Sequence, residues 1–512
     1  MIETRVLTGD DLTIEDVWAV AVDRTPVALS DLARQRMRAA RDVVQRAAHG
    51  SREHTYGINT GFGRFVSQSI PEELSEELQV RLLRSHASGV GDPYPDEVVR
   101  AAMLLRANTL AKGYSGARVE TAELLVECLD RGLLPHVPSR GSVGASGDLA
   151  PLAHLALPLI GEGEAWVDGD RYGGAEALAR VGLEPLTLKA KEGLSLVNGT
   201  QFMTAFGALG LARTRRLVKT ADLACSLSLE ALQGSRTSFF PQIHAVRPLR
   251  GQQESAANIL RLLEDSAIIE AHRWCDQVQD AYSLRCAPQV HGAARDLLDY
   301  ATYTVSTELN SATDNPLVLV EDDLLVSNGN FHGQSLAFAL DALAMAVSEL
   351  ANISERRVER LVNPSLSGGL PAFLTSDGGL NSGFMIPQYV AASLVSENKS
   401  LCHPASVDSI PTSAGQEDHV SMGNAAGLKA WQVLANCERV LAIELLAAAQ
   451  GVEFLAPLEP GAGVRATRAF VRTVSPRLRE DRPLAAEIEA MAEAIRAGSI
   501  VEAVEAELGE LL

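Results

Sequence analysis

Aromatic side chains make up only 5% of the 512 residues, while Ala and Leu recur throughout. That mixture favours helix over sheet. Cysteine is sparse and unpaired by spacing: Cys128, Cys225, Cys275, Cys286, Cys402 and Cys437 lie far apart, with no CxxC. The pattern excludes a disulfide scaffold and suits reduced thiols in a cytosolic protein. Positive charge is in deficit, 45 Lys and Arg against 65 Asp and Glu, for a formal net charge of −20. A nucleic-acid duplex or an anionic bilayer would be repelled, so neither is expected as a partner. No run of 18 apolar residues occurs; the best stretch, Leu336 to Leu350, is broken by Asp341 and Glu349. The start, Met1 to Arg5 followed by Asp10 and Asp11, lacks a basic-then-apolar signal. No fixed-period repeat or low-complexity linker is visible. These absences point to a soluble, cytoplasmic protein.

What the chain does contain is long helical patterning. Leu336, Leu340, Leu343, Val347, Leu350 and Ile353 stripe one face of a helix expected from about Gln334 to Leu361, stopping before Pro364. A helix that long implies a bundle. Leu484, Ile488, Met491 and Ile495 repeat the pattern, with Asp481 expected as cap, Pro483 in the first turn and Gly498 at the exit. Another helix opens at Ser30 and closes by Gly50. The expected fold class is mainly all-α. Residues 1–200 read as a smaller mixed N-terminal part and 201–512 as a long-helix bundle with C-terminal helices. Between the helices lie segments rich in Gly, Ser and Asn, where chemistry is most often carried: Tyr56–Gly63, Gly141–Asp148, Asn198–Gln201, Asn310–Pro316, Asn328–His332 and Gln416–Ser421.

The stretch Gly141–Asp148 (GSVGASGD) admits three readings. It can be a turn ahead of a helix over Leu149–Ile160, with Asp148 as cap. It can be compared with a serine-hydrolase elbow, but Asp148 stands where the second Gly of G-x-S-x-G belongs, and no buried strand precedes it. Peptide chemistry offers the third. In a tight bend the Gly147 amide nitrogen can attack the Ala145 carbonyl carbon; loss of water closes a five-membered ring, and loss of the Ser146 hydroxyl as a second water leaves an exocyclic methylidene. Gly147 and Ala145 keep both reacting atoms accessible, and Ser146 supplies the β-leaving group.

The run Gly141–His154 (GSVGASGDLAPLAH) resembles the signature of the histidine and aromatic amino-acid ammonia-lyases. TYGINTGFG at Thr55–Gly63, LVNGTQ at Leu196–Gln201, QDAYSLRC at Gln279–Cys286, GNFHG at Gly329–Gly333 and QEDHVSM at Gln416–Met422 match in the family's order. Six motifs in register over most of the chain are a specific signal. The resemblance implies an aspartase/fumarase-like helical architecture, a homotetramer with shared active sites, and an Ala145-Ser146-Gly147 tripeptide that cyclises to 4-methylidene-imidazol-5-one (MIO). It implies an amino-acid substrate and no metal or nucleotide.

The same resemblance distributes roles. Elimination needs an electrophile for the amine and a base for the unreactive β-proton; MIO is the first and Tyr56 the second. An ordinary tyrosine is about one-thousandth ionised at pH 7, so the site is expected to favour phenolate. Gly57, Gly61 and Gly63 make the Tyr56 loop mobile enough to close over substrate. Arg285 matches the residue that grips the substrate carboxylate. Asn198 and Tyr282 match residues bonded around the MIO and the amine, and Gln279 and Phe331 match site-lining positions. His86 matches the imidazole-contacting position of histidine enzymes, and Glu417 a carboxylate where phenylalanine enzymes carry an amide. A His–Glu pair satisfies both nitrogens of imidazole, whereas a phenyl ring would leave the carboxylate without a partner. The function expected is elimination of ammonia from L-histidine to trans-urocanate. An MIO aminomutase, a tyrosine ammonia-lyase and an inactive helical scaffold are the alternatives. His403, Asp408, Asp418 and His419 show no metal-ligand spacing.

Overall fold

The computed structural model describes residues 4–48, 56–273 and 278–512; Thr55 of the first motif, Gly50 and Cys275 lie outside these ranges. The chain is 61% helical, and among the described residues twenty α-helices accompany four small sheets. The mainly all-α expectation holds. The chain divides into two compact units: Met1–Leu209 with Ala301–Asp341 and Pro404–Leu428, and Gly210–Tyr300 with Ala342–His403 and Lys429–Leu512.

All the strands described belong to the first unit. Arg5–Leu7 pairs in parallel with Val27–Leu29, Val90–Pro93 antiparallel with Pro138–Arg140, and Leu317–Leu319 forms a hairpin with Leu324–Val326. Leu134–Pro135 and the hairpin Glu164–Val167/Asp170–Gly173 make the fourth sheet. Ser30 caps the helix Asp31–Ala48 by accepting the Ala33 N–H at 3.0 Å. The helix Asp96–Ala111 is buried all round from Val98 onward, the position of a core helix. The tripeptide loop runs into Leu149–Ala156 and a 3₁₀ turn, Leu157–Ile160.

The second unit is built from long helices that approach closely. An added Cβ on Gly210 would stand 3.2 Å from Leu343 and 3.3 Å from Leu434, so a side chain there would push neighbouring helices apart. The helix Gln334–Val362 contributes residues to both units, and its stripe Leu336, Leu340, Leu343, Val347, Leu350 and Ile353 is buried. By length and hydropathy it passes as a membrane span, yet 72% of its most apolar window is buried inside the protein. Ala485–Ala497 leaves through Gly498 at φ 88°, as expected. Its entry differs from expectation. The helix begins at Ala485, Pro483 lies ahead of it, and Asp481 accepts the Ser382 and Gly383 N–H groups at 2.6 and 2.9 Å. Two backbone donors from a distant turn outcompete the helix end for that carboxylate.

Fully buried charges inside this unit include an ion pair. Arg357 and Glu444 are both fully buried, with Nη2 to Oε2 at 2.9 Å, and Ser228 Oγ donates to Glu444 Oε1 at 2.6 Å. Arg357→Met is expected to destabilise the protein by about 3–5 kcal/mol, because it strands a buried carboxylate. Adding Glu444→Leu should recover most of that loss, as denaturant midpoints of the single and double variants would show.

Candidate active site

Five segments of the first unit converge on one cavity of about 730 Å³. Tyr56 opens its loop; His86 is the last residue of the helix Ser75–His86; Ser146 sits in the loop before Leu149–Ala156; Asn198 ends the short helix Glu192–Val197; and Glu417 lies ahead of Gly423–Val452. All five line the cavity. The sequence reading placed them on separate motifs, and within this unit the fold brings them together.

The tripeptide is tightly confined. Ala145 packs with Val420 and Met422, Met422 N donates to Val143 O at 2.9 Å, and Ser421 Oγ donates to Gly144 O at 3.2 Å. Gly147 has φ +76°, and a Cβ there would stand 2.0 Å from Gly199 O, so only glycine fits on both counts. Ser146 Oγ donates to Glu417 Oε1 at 3.1 Å. Asn198 is almost fully buried, and its Oδ1 has no hydrogen-bond partner among the described residues. An orphaned buried acceptor beside such a turn marks a place built for another group.

Asp148 does something the sequence did not suggest. As the residue before Leu149 it was expected to cap that helix, but its side chain makes no cap bond there. It accepts the Met203 N–H at 3.0 Å and the Ser142 hydroxyl at 3.2 Å. It therefore caps the first turn of Gln201–Ala231 instead, while its own N–H donates to Gly199 O at 2.7 Å. Total burial pushes the Asp148 carboxyl up to about 6 despite these donors. The tripeptide loop and the Asn198–Gln201 segment are thereby tied together.

At Tyr56 the surroundings within this chain run against the expectation of a favoured phenolate. Burial raises its phenol above the ordinary value, the Gly63 N–H donated to Oη at 3.4 Å partly counters this, and the negative Glu417 adds to the rise. These groups disfavour phenolate rather than favour it. Its ring meets Phe62 edge-on at 5.9 Å. His86 is lowered, chiefly by burial, against the opposing pull of the Leu82 carbonyl and Glu417.

The other expected residues do not line this cavity. Phe331 belongs to the same unit but is not among the cavity's lining residues; beside it His332 stacks on His419, with ring centroids 5.7 Å apart. Gln279, Tyr282 and Arg285 belong to the second unit and gather with one another. Arg285 Nε donates to Asp280 O at 3.0 Å, Nη2 donates to Gln279 Oε1 at 3.1 Å, and the guanidinium lies 4.6 Å from the Tyr282 ring centroid. Among the described residues no three His, Cys, Asp or Glu side chains gather as a metal site.

Two supporting residues escaped the motif reading. Arg106, fully buried, donates to the carbonyls of Ser195 and Asn198 and to Gln201 Oε1 at 2.6–3.0 Å, which fixes the backbone that presents Asn198. Its signal was an arginine flanked by Met103, Leu104, Leu105 and Ala107. Thr412 bridges to Glu417 through the backbone, and its hydroxyl donates to Glu417 Oε2 at 2.9 Å. No spacing rule singles out that threonine.

Comparison with known proteins bears on this geometry. A family model described as aromatic amino acid lyase matches residues 12–473. A histidine ammonia-lyase of Gloeobacter violaceus is 57% identical over 506 residues, covering 99% of this chain and 98% of that protein. The crystal structure of histidine ammonia-lyase from Trypanosoma cruzi aligns with a TM-score of 0.91 at 45% identity, covering 99% of this chain and 96% of that one. Tyrosine aminomutase from Streptomyces globisporus aligns with a TM-score of 0.93 at 38% identity, over 99% of each chain.

Proposed function

Because the chain belongs to the aromatic amino acid lyase family, we propose that it eliminates ammonia from L-histidine without oxidation, releasing trans-urocanate. The observation that carries this reading is the meeting of His86 and Glu417 with Tyr56, Ser146 and Asn198 around one cavity. A carboxylate beside a histidine suits a polar, two-nitrogen ring; a phenyl ring could hydrogen-bond with neither, at a cost of a few kcal/mol.

The residues present fit an MIO group built from Ala145, Ser146 and Gly147. The bend at Gly147 tolerates no side chain, the Ser146 hydroxyl points at an acceptor, and the buried Asn198 Oδ1 is without a partner. Such a group would supply an electrophile for the substrate amine. Asn198 would orient beside it, held by Arg106 through the Asn198 carbonyl. Tyr56 would take the β-proton, while Glu417 and His86 hold the ring and leave the β-carbon facing the phenol. Phe62 and Leu82 add apolar surface to the cavity wall.

By the family resemblance Arg285 is assigned to the substrate carboxylate, Tyr282 to the MIO and the reacting amine, and Gln279 to the site lining, in a site shared between copies of a cytoplasmic homotetramer. Phe331 is assigned to the site lining on the same ground.

The test is product identity. Purified protein incubated separately with L-histidine, L-tyrosine and L-phenylalanine should release urocanate and ammonia from histidine far faster than acrylates from the other two. Accumulation of a β-amino acid would overturn the lyase outcome, and a preference for tyrosine would overturn the substrate.

A further inference from the structure

At the ring-binding end of the cavity His86 and Glu417 both present hydrogen-bond acceptors, and from this we infer that the protein takes up one proton together with each imidazole ring it binds. The inference rests on the histidine reading above and adds the protonation state in which the ring is held.

The first acceptor follows from the tautomer of His86. Its Nδ1 lies 3.0 Å from the Leu82 carbonyl oxygen. A carbonyl only accepts, so Nδ1 carries the hydrogen. Ser85 Oγ already donates to the same carbonyl at 2.9 Å, so at 3.0 Å from Nδ1 it too can only accept. Burial keeps His86 neutral near physiological pH. With its single proton on Nδ1, Nε2 is a bare lone pair, and His86 lines the cavity. Moving the proton to Nε2 would set the Nδ1 lone pair against the Leu82 oxygen.

The second acceptor is Glu417. Its Oε2 accepts from Thr412 and its Oε1 from Ser146, so both oxygens present lone pairs. When Ser146 gives up its hydroxyl, Oε1 has no donor left. A neutral imidazole carries one donor and one acceptor, so whichever nitrogen it turns to Glu417, one contact pairs lone pair with lone pair. An imidazolium carries two N–H groups and matches both.

The surrounding charges favour that proton. Among the residues lining the cavity, Tyr56 stays neutral because its phenol is raised, and Arg64, in the Tyr56 loop, is exposed. The helices Leu149–Ala156 and Glu192–Val197 contribute only Leu149 and Leu194. Among the described residues that line the cavity Glu417 is thus the one carboxylate, and it would raise the pKa of a ring held against it.

The test uses 3-(imidazol-4-yl)propanoate, which keeps the ring but has no amine to eliminate. Calorimetric titration at about pH 8, in phosphate and in Tris, yields the proton count from the dependence of the observed heat on buffer ionisation enthalpy. The expected result is about one proton taken up per ring, with affinity falling about tenfold per pH unit above that pH. Glu417→Gln can turn its amide N–H₂ to a neutral ring and should take up close to none. Binding with no proton uptake and a flat pH dependence would overturn the inference and leave the histidine reading standing. Uptake unchanged in Glu417→Gln would overturn it as well. A wild-type protein that neither binds this probe nor consumes histidine would overturn both.

Discussion

Ser146→Ala should lower the rate of ammonia release from histidine at least about a thousand-fold, a loss of about 4 kcal/mol of transition-state stabilisation, while the protein stays folded. The hydroxyl is the only group in the tripeptide that can leave to form an alkene, so alanine at 146 removes the electrophile at its source. The structural cost is small: the side chain makes one hydrogen bond, to Glu417, on the cavity wall, and loss of such a contact changes stability little. Mass spectrometry separates cause from accident. The peptide spanning Ala145–Gly147 should be lighter by two waters in the parent and of full mass in the variant. Gly147→Ala tests the same bend differently. Its methyl group would stand 2.0 Å from Gly199 O at φ +76°, so strain and clash act together, and Gly147→Ala should lose stability as well as activity. A Ser146→Ala protein that turns histidine over at the parental rate would remove the basis of the proposed chemistry.

Much of this site was legible because its signals are local. Glycines that tolerate no side chain, a serine with a β-leaving group and polar residues in Gly-rich loops are chemical facts about neighbours in sequence, and the helical stripe from Leu336 to Ile353 is a local periodicity. The parts that were not legible depend on contacts between distant segments. Asp148 looked like a cap for the helix it precedes, but a fold that brings Met203 N within 3.0 Å gives its carboxylate a better partner. Asp481 was diverted from a helix end in the same way. Tyr56 was expected to sit where phenolate is favoured, a reading made from what the reaction needs; burial and the charge of Glu417 act against it. Arg106 and Thr412 act through residues some 90 and five positions away in the chain, and nothing in their immediate sequence names those partners. A linear reading sees contiguous stretches, whereas the unit holding the cavity also gathers residues 301–341 and 404–428.

The raised phenol of Tyr56 makes the second large effect a pH effect. Tyr56→Phe should reduce the rate about 10²–10⁴-fold, the usual contribution of a positioned general base. The phenyl ring keeps its edge-on contact with Phe62, and only the acceptance of the Gly63 N–H is lost, so the fold should persist. In the parent protein the base must be deprotonated, and its pKa lies above the ordinary tyrosine value because burial and Glu417 both penalise the anion. The ionised fraction therefore grows about tenfold per pH unit across the neutral and mildly alkaline range. The turnover rate should climb with it until another step limits. Tyr56→Phe should flatten that climb as well as lower it. Glu417→Gln removes a negative charge that raises the phenol, so its rising limb should move to lower pH. A rising limb that stays in place in Glu417→Gln, or survives in Tyr56→Phe, would show that some other group takes the proton.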